Sequence, residues 1–283
     1  MGVLWMDLFA REGKGPSSWA AQYRPFSSHD GRQLPLVALH SAVQHPVDGG
    51  APLLEWERAN VIFHEFGHAL HMLGATARYP SLGTLGTVWD FIEVPSLLNE
   101  RWLADRETLR RHARHVKTGE PMPVAMIEGL ERSLAFDRVF SMTLPFLATA
   151  LVDMRLHMLA DGRDIDAVSV ERQLLSDYEM PRAVDPLLHV QHAVHVFTDE
   201  YSAGVYTYLW SDVLAADAAE AFTSAAGGLY DPEVSARWRT EVLARGNTVP
   251  AAEAFRAFRG RDPDQDALLR RFGIVPDSAG DAR

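Results

Sequence analysis

The stretch FHEFGHALH, Phe63 to His71, holds two histidines four residues apart with a glutamate directly after the first. On a helix, residues four apart lie about one turn above each other, so His64 and His68 project from one face with their rings near enough to share a metal. Glu65 points about 100° away, by the helical period, which aims it past the metal at a water beside it. A divalent ion held this way acidifies the water, and the glutamate takes its proton as the water attacks a carbonyl. The five-residue pattern also suits a histidine-bearing core helix, so the remainder of the site has to come from elsewhere in the chain.

A zinc site of this type needs a third protein ligand and one open position. The chain contains no cysteine, so the ligand must be His, Asp or Glu. Glu93, in WDFIEVPS, is the candidate: a carboxylate on the next helix returns to the histidines if that helix packs antiparallel against the first. Gly83 and Gly86 would let the intervening loop, YPSLGTLGTVW, bend closely around the site. Asp90 competes with Glu93, but it sits at an expected helix N-cap and is read as a capping residue. Two His and one carboxylate also describe a non-haem Fe(II) site. A non-hydrolytic metalloenzyme is therefore the alternative chemistry, and a partner-dependent or non-catalytic subunit is the third reading.

Stepping from the ligands to the elements that must hold them, 283 residues with 47% hydrophobic content are enough to bury a substantial core. From Gly2 to about Val43 the pattern is extended: GVLWMDLF and LPLVALH read as strands, separated by the loop REGKGPSSW and the turn SHDGRQ, and predict a hairpin or small sheet. After residue 53, apolar residues fall at helical spacing in 53–74, 90–104, 105–117, 123–160, 164–178, 185–197, 200–225, 231–246 and 251–259, broken at TGEPMP, EMP, AAGGLYDP and GNTVP. The expected fold is mainly α: a small β region over 1–52 packed on a helical domain over 53–275, one structural unit overall, with a tail over 276–283.

Charge narrows the partners. With 27 basic against 38 acidic residues and no basic block, neither nucleic acid nor an anionic membrane surface is an expected partner. The N-terminus has no secretory pattern. The run PFLATALVDM is closed by Asp153 and Arg155, short of the roughly 20 residues a membrane helix needs. A cytoplasmic location is the expectation.

The residues around the motif are more specific than the motif itself. FHEFGHALH, then YPSLGTLGTVWDFIEVPSLLNERW, then TGEPMP, resemble the thimet oligopeptidase family of zinc peptidases, which includes oligopeptidase A and the bacterial peptidyl-dipeptidases. The family carries a phenylalanine before and after its first His-Glu pair, and a D-F-[VI]-E-x-P-S block. The resemblance implies the zincin-like catalytic half of the oligopeptidase fold. It implies one zinc ion on His64, His68 and Glu93, Glu65 as general base, and hydrolysis of short peptides or a peptide-like substrate. HVFTDEYSAGVYTYLWSDVLAADAAEAF followed by LARGNT is similar to the family's C-terminal block, where a His and two Tyr line the cleft. That match gives His195, Tyr201 and Tyr208 the roles of stabilising the oxyanion and holding the substrate backbone. Tyr208 also lies in the helical stripe Tyr206, Tyr208, Trp210, which leaves a core role open for it.

Family members are more than twice this long, and their N-terminal helical half forms the other wall of a deep channel. The substrate is then expected to meet a more open site, unless a partner chain or a second copy in a homo-oligomer supplies that wall. The family's Gly-Gly before the first tyrosine is Asp199-Glu200 here, two carboxylates that would favour a basic over an acidic substrate. The usual tandem tyrosine is Val205-Tyr206.

Overall fold

A computed structural model describes residues 2–46, 49–50, 52–160, 162, 164–197 and 201–275, apart from the side chains of Val194 and His195. In chain order the strands are β1 (Val3–Phe9), β2 (Trp19–Arg24) and β3 (Leu36–Val43). The helices are α1 (Trp56–Gly74), α2 (Trp89–Ile92), α3 (Val94–Ala104), α4 (Arg106–His112), α5 (Val124–Asp137), α6 (Leu144–His157), α7 (Ala167–Asp177), α8 (Val194–Phe197), α9 (Tyr206–Thr223), α10 (Pro232–Trp238), α11 (Ala251–Arg259) and α12 (Asp266–Arg271). Two compact units emerge, Met1–Met122 with Asp212–Ala267, and Pro123–Ser211 with Leu268–Arg283. The expected boundary at 52/53 falls inside the first unit, and the expected tail at 276–283 lies outside the described residues.

In the first unit the small sheet has the order β1-β3-β2. The two apolar runs pair parallel, Val3 opposite Leu36, rather than as a hairpin. β2 runs antiparallel along the other side of β3, with Ala20 opposite Leu39. Sequence reading passes over β2 because WAAQYR carries two alanines, which have little strand preference, and its place is set by backbone pairing with β3. The sheet packs on α1 through Val37, Ala69 and Met72. Behind α1 the main core gathers Phe91, Val94 and Leu98 with Leu214, Ala218 and Phe222 of α9 and Phe255 and Phe258 of α11. Asp217, fully buried, ties that core to the segment after α11 by accepting from Arg259, Arg261 and the Asp264 N–H.

The expected cap at Asp90 is corrected. Val88 occupies the N-cap of α2, and Asp90 sits in the helix's first turn, where its charge meets the positive end of the helix dipole.

In the second unit, α5 and α6 join through a π-helical turn, Arg138–Thr143, into one continuous helix, Val124–His157. The helix runs through Asp153 and Arg155, which bound its apolar run, and falls within the expected segment 123–160. Its most apolar 18-residue window has mean hydropathy 1.4 and is 39% buried, a length and composition that core helices and membrane spans share. The expected helix over 185–197 is reduced to a turn at Val190–His192 and the short α8. Here the buried Glu171 carboxylate accepts the Val190 N–H at 2.9 Å and lies 2.8 Å from His189 Nδ1, holding the backbone to a side chain.

Candidate metal centre

α1 is 19 residues long, free of proline, with Glu57 in its first turn, so it forms a rigid platform for side chains one turn apart. The rings of His64 and His68 stand 5.0 Å apart at 79°. Oε2 of Glu93 lies 3.2 Å from His64 Nε2 and 3.1 Å from His68 Nε2, and the three ligand atoms all lie within 4.8 Å of one another. A tetrahedral ion with bonds of about 2.0–2.1 Å separates its ligand atoms by about 3.3 Å. The triangle fits such an ion, and imidazole with carboxylate is a donor set that first-row divalent metals accept.

Glu93 sits at the junction where α2 ends and α3 begins. Ser96, fully buried, places its Oγ 2.9 Å from Glu93 Oε2 and 2.8 Å from the Glu93 carbonyl oxygen. The glycine of the HEFGH run explains how this junction comes so near. A Cβ on Gly67 would lie 2.6 Å from both the Pro95 carbonyl oxygen and Ser96 Cα, so only the missing side chain lets α3 pack this tightly on α1. Asn99 adds a clamp, its Nδ2 donating to the Phe63 carbonyl at 2.6 Å.

The loop between α1 and α2 is fixed from two sides. A Cβ on Gly86 would meet the Ser81 carbonyl at 2.4 Å, so the expected tight bend does depend on that glycine. From the LARGNT segment, Gly246 adopts φ +52 against Leu82 and Gly83, and the Asn247 N–H donates to the Leu82 carbonyl at 2.9 Å. Thr84 Oγ1 donates to the His71 carbonyl at 3.1 Å, returning the loop to the end of α1.

Beyond the expected ligands, Glu100 joins the site. Its Oε1 lies 2.9 Å from His64 Nδ1, the nitrogen facing away from Glu93. Glu100 is two helical turns beyond Glu93, a spacing of seven that keeps both on one side of α3 and was the available sequence signal. Burial pulls His64 down, but the Glu100 and Glu93 carboxylates on either side outweigh it, and its pKa is pushed up to about 10. Burial works against Glu93 too, yet hydrogen bonds from His64 and His68 hold its carboxyl well below the usual range. Glu65 behaves oppositely: burial pushes it up, against the pull of the two histidines. The Ala20 backbone adds a smaller downward pull, so the backbone of β2 reaches Glu65. His71 is not a ligand. Burial and the neighbouring His68 push it down to about 3, and it stays neutral in the core.

His64, His68, Glu93 and Glu65 are thus brought together in the first unit. Tyr201 and Tyr208 belong to the second unit, their rings stacked 5.3 Å apart at 11°, with Phe146 5.2 Å from Tyr208. His195 lies on α8, and its side chain is outside the described residues, as are Asp199 and Glu200.

The sequence profile of peptidase family M3 matches residues 1–274. Dipeptidyl carboxypeptidase of Salmonella typhimurium is 36% identical over 277 residues, covering 97% of this chain and 40% of that protein. Oligopeptidase A of Escherichia coli is 33% identical, covering 96% of this chain and 40% of that protein. Saccharolysin of Saccharomyces cerevisiae is 30% identical, at 97% and 39%. The chain therefore spans about 40% of the length of these relatives. Among solved structures, PZ peptidase A with inhibitor 2 gives a TM-score of 0.61 at 14% identity, over 95% of this chain and 43% of that one. Metallocarboxypeptidase 1 of Trypanosoma cruzi gives 0.58 at 13%, over 95% and 56%. These likenesses show a shared fold, mainly helical with a small sheet. With the family profile matching nearly end to end over the metal centre described above, the chain belongs to peptidase family M3.

Proposed function

We propose that this chain is the catalytic part of a zinc peptidase that hydrolyses peptide bonds of short peptides or of a peptide-like substrate. The observation that carries the reading is the triangle of His64, His68 and Glu93, with the buried Glu65 carboxylate beside it, in a chain of a peptidase family. His64, His68 and Glu93 would hold one zinc ion, which when bound supplies Lewis acidity to a substrate carbonyl and to water. Glu100 would accept the hydrogen bond from His64 Nδ1–H and so leave the Nε2 lone pair for the ion. Glu65 acts as general base. Its raised proton affinity lets it keep the proton taken from water until the leaving amine needs it.

A peptide suits the surroundings of Glu65. Among the described residues β2 pairs with β3 alone, so an extended substrate backbone can add to its other edge next to the base. For the oxyanion, the matched sequence block assigns donors to Tyr208, His195 and Tyr201. Such donors are worth about 3 kcal/mol each when preorganised. Membership of a peptidase family favours hydrolysis over Fe(II) oxidation, which the same ligand types also serve.

A peptide-library digest, with metal content measured on the same sample, tests the reading. The wild-type chain should cleave with about one zinc bound, and Glu65→Gln should keep the zinc while turnover drops by about a hundredfold or more. Cleavage by Glu65→Gln at the wild-type rate sinks the mechanism.

A further inference from the structure

Asp153 is an acid in an otherwise apolar stretch of α6, with 1% of its surface exposed. Neighbouring Ala150 and Val152 pack into core clusters, and the Ala150 cluster includes Val205 from the chain that follows Tyr201. Both oxygens of the carboxylate are used on that segment. Oδ1 accepts the Ala203 N–H at 3.0 Å, and Oδ2 accepts the Val205 N–H at 3.1 Å. Oδ1 also lies 2.9 Å from His157 Nδ1, one turn along the same helix.

The turn held this way is an unusual one for its sequence. Ala203 has φ +57, the left-handed region that side chains enter only at a cost. Around it, the Gly204 N–H donates to the Tyr201 carbonyl at 2.8 Å and the Thr207 N–H to the Gly204 carbonyl at 3.0 Å, which leads the backbone into α9. The product of this bend is the parallel stack of Tyr201 on Tyr208, 5.3 Å between centroids. A left-handed alanine persists only where its surroundings over-determine it, and the buried carboxylate is the group that takes the N–H on either side of the turn's crest.

We infer that Asp153 is a positioning residue for the peptidase reaction: through the N–H groups of Ala203 and Val205 it presets the turn that carries Tyr201 onto Tyr208. The inference rests on the assignment of these tyrosines to the developing oxyanion. Donors fixed before the substrate arrives need no reorganisation during the reaction, which is where their effect on rate lies. Asp153→Asn keeps the volume but turns an amide NH2 toward one of the two N–H donors, so one anchor is lost.

Residue-resolved hydrogen exchange and a double-mutant cycle test this. In the wild-type chain the amides of Ala203 and Val205 should be protected although they lie outside any regular helix, and Asp153→Asn should speed their exchange about tenfold or more. The same substitution should lower kcat by about tenfold to a hundredfold with KM and zinc content little changed. In a Tyr208→Phe background it should add less than about threefold, because both changes remove one effect. Unprotected amides at Ala203 and Val205 in the wild type overturn the anchoring. A full, additive loss in the Tyr208→Phe background overturns the route through Tyr208. If Tyr208→Phe alone turns over at the wild-type rate, the oxyanion assignment falls and takes the catalytic part of the inference with it. The exchange data then stand apart and show which of the two has failed.

Discussion

His64 Nδ1 lies 2.9 Å from Glu100 Oε1, while Nε2 of the same ring faces Glu93 Oε2 at 3.2 Å. The ring is held at both nitrogens, so its orientation is set before any ion binds. Such outer carboxylates raise ligand basicity and typically contribute tenfold to a hundredfold in metal affinity. Glu100→Gln keeps an acceptor but removes the charge. It should weaken zinc binding by about tenfold in a chelator-competition titration, with helical content unchanged by circular dichroism. Unchanged affinity would mean that packing of α1 alone orients His64.

Gly67 offers a second test. Its ideal Cβ meets the Pro95 carbonyl and Ser96 Cα at 2.6 Å and Asn99 Cβ at 2.9 Å, and two of these are backbone atoms that cannot swing aside. Gly67→Ala gains about 1 kcal/mol of helix propensity. Overpacking against the α3 backbone should more than cancel this, at about 1–3 kcal/mol or above. Because Ser96 also holds Glu93, the melting temperature and the zinc affinity should fall together. A variant that melts at or above the wild-type temperature would show that α3 yields easily.

What was legible in the sequence follows from how local each signal is. His64, Glu65 and His68 share one helix, and their geometry is fixed by the helical period alone. Glu93 was legible because its helix must return along α1, and Gly67 and Gly86 permit that return. Glu100 lay two turns beyond Glu93 on the same side of α3, yet pairing it with His64 required the distance between α1 and α3. The contribution of Ala20 was invisible for a different reason: it comes from a backbone N–H, and any residue type but proline supplies one. β2 itself was hidden because pairing with β3, and not side-chain pattern, places it.

Asp217 supports the frame behind the site. It is fully buried and receives Arg259 Nε at 2.9 Å, Arg261 Nη1 at 2.7 Å and the Asp264 N–H at 2.8 Å. Removing one partner of a buried charge cluster strands the others, which costs about 3–5 kcal/mol. Asp217→Ala should therefore shift the urea midpoint strongly downward with an unchanged slope, while Glu220→Gln, at a partly exposed acid 3.9 Å from Arg259, should move it little. Equal shifts for the two would contradict the burial argument.

Metal removal separates a preformed site from one that folds around its ion. The three candidate ligands are set by protein contacts: His64 by Glu100, Glu93 by Ser96, and the α1–α3 approach by Gly67 and Asn99. Without the ion, both imidazoles stay within hydrogen-bonding distance of the Glu93 carboxylate, at 3.2 and 3.1 Å. Chelation should therefore abolish peptide cleavage while leaving far-ultraviolet circular dichroism intact. The unfolding free energy should fall only by the mass-action contribution of the ion, about 4 kcal/mol at a thousandfold excess over Kd, with the melting temperature lowered accordingly. Returning zinc should restore cleavage within mixing time, with no refolding phase. Loss of helical signal on chelation would instead mean that the ion, and not the contacts of α1 with α3, holds this part of the chain together.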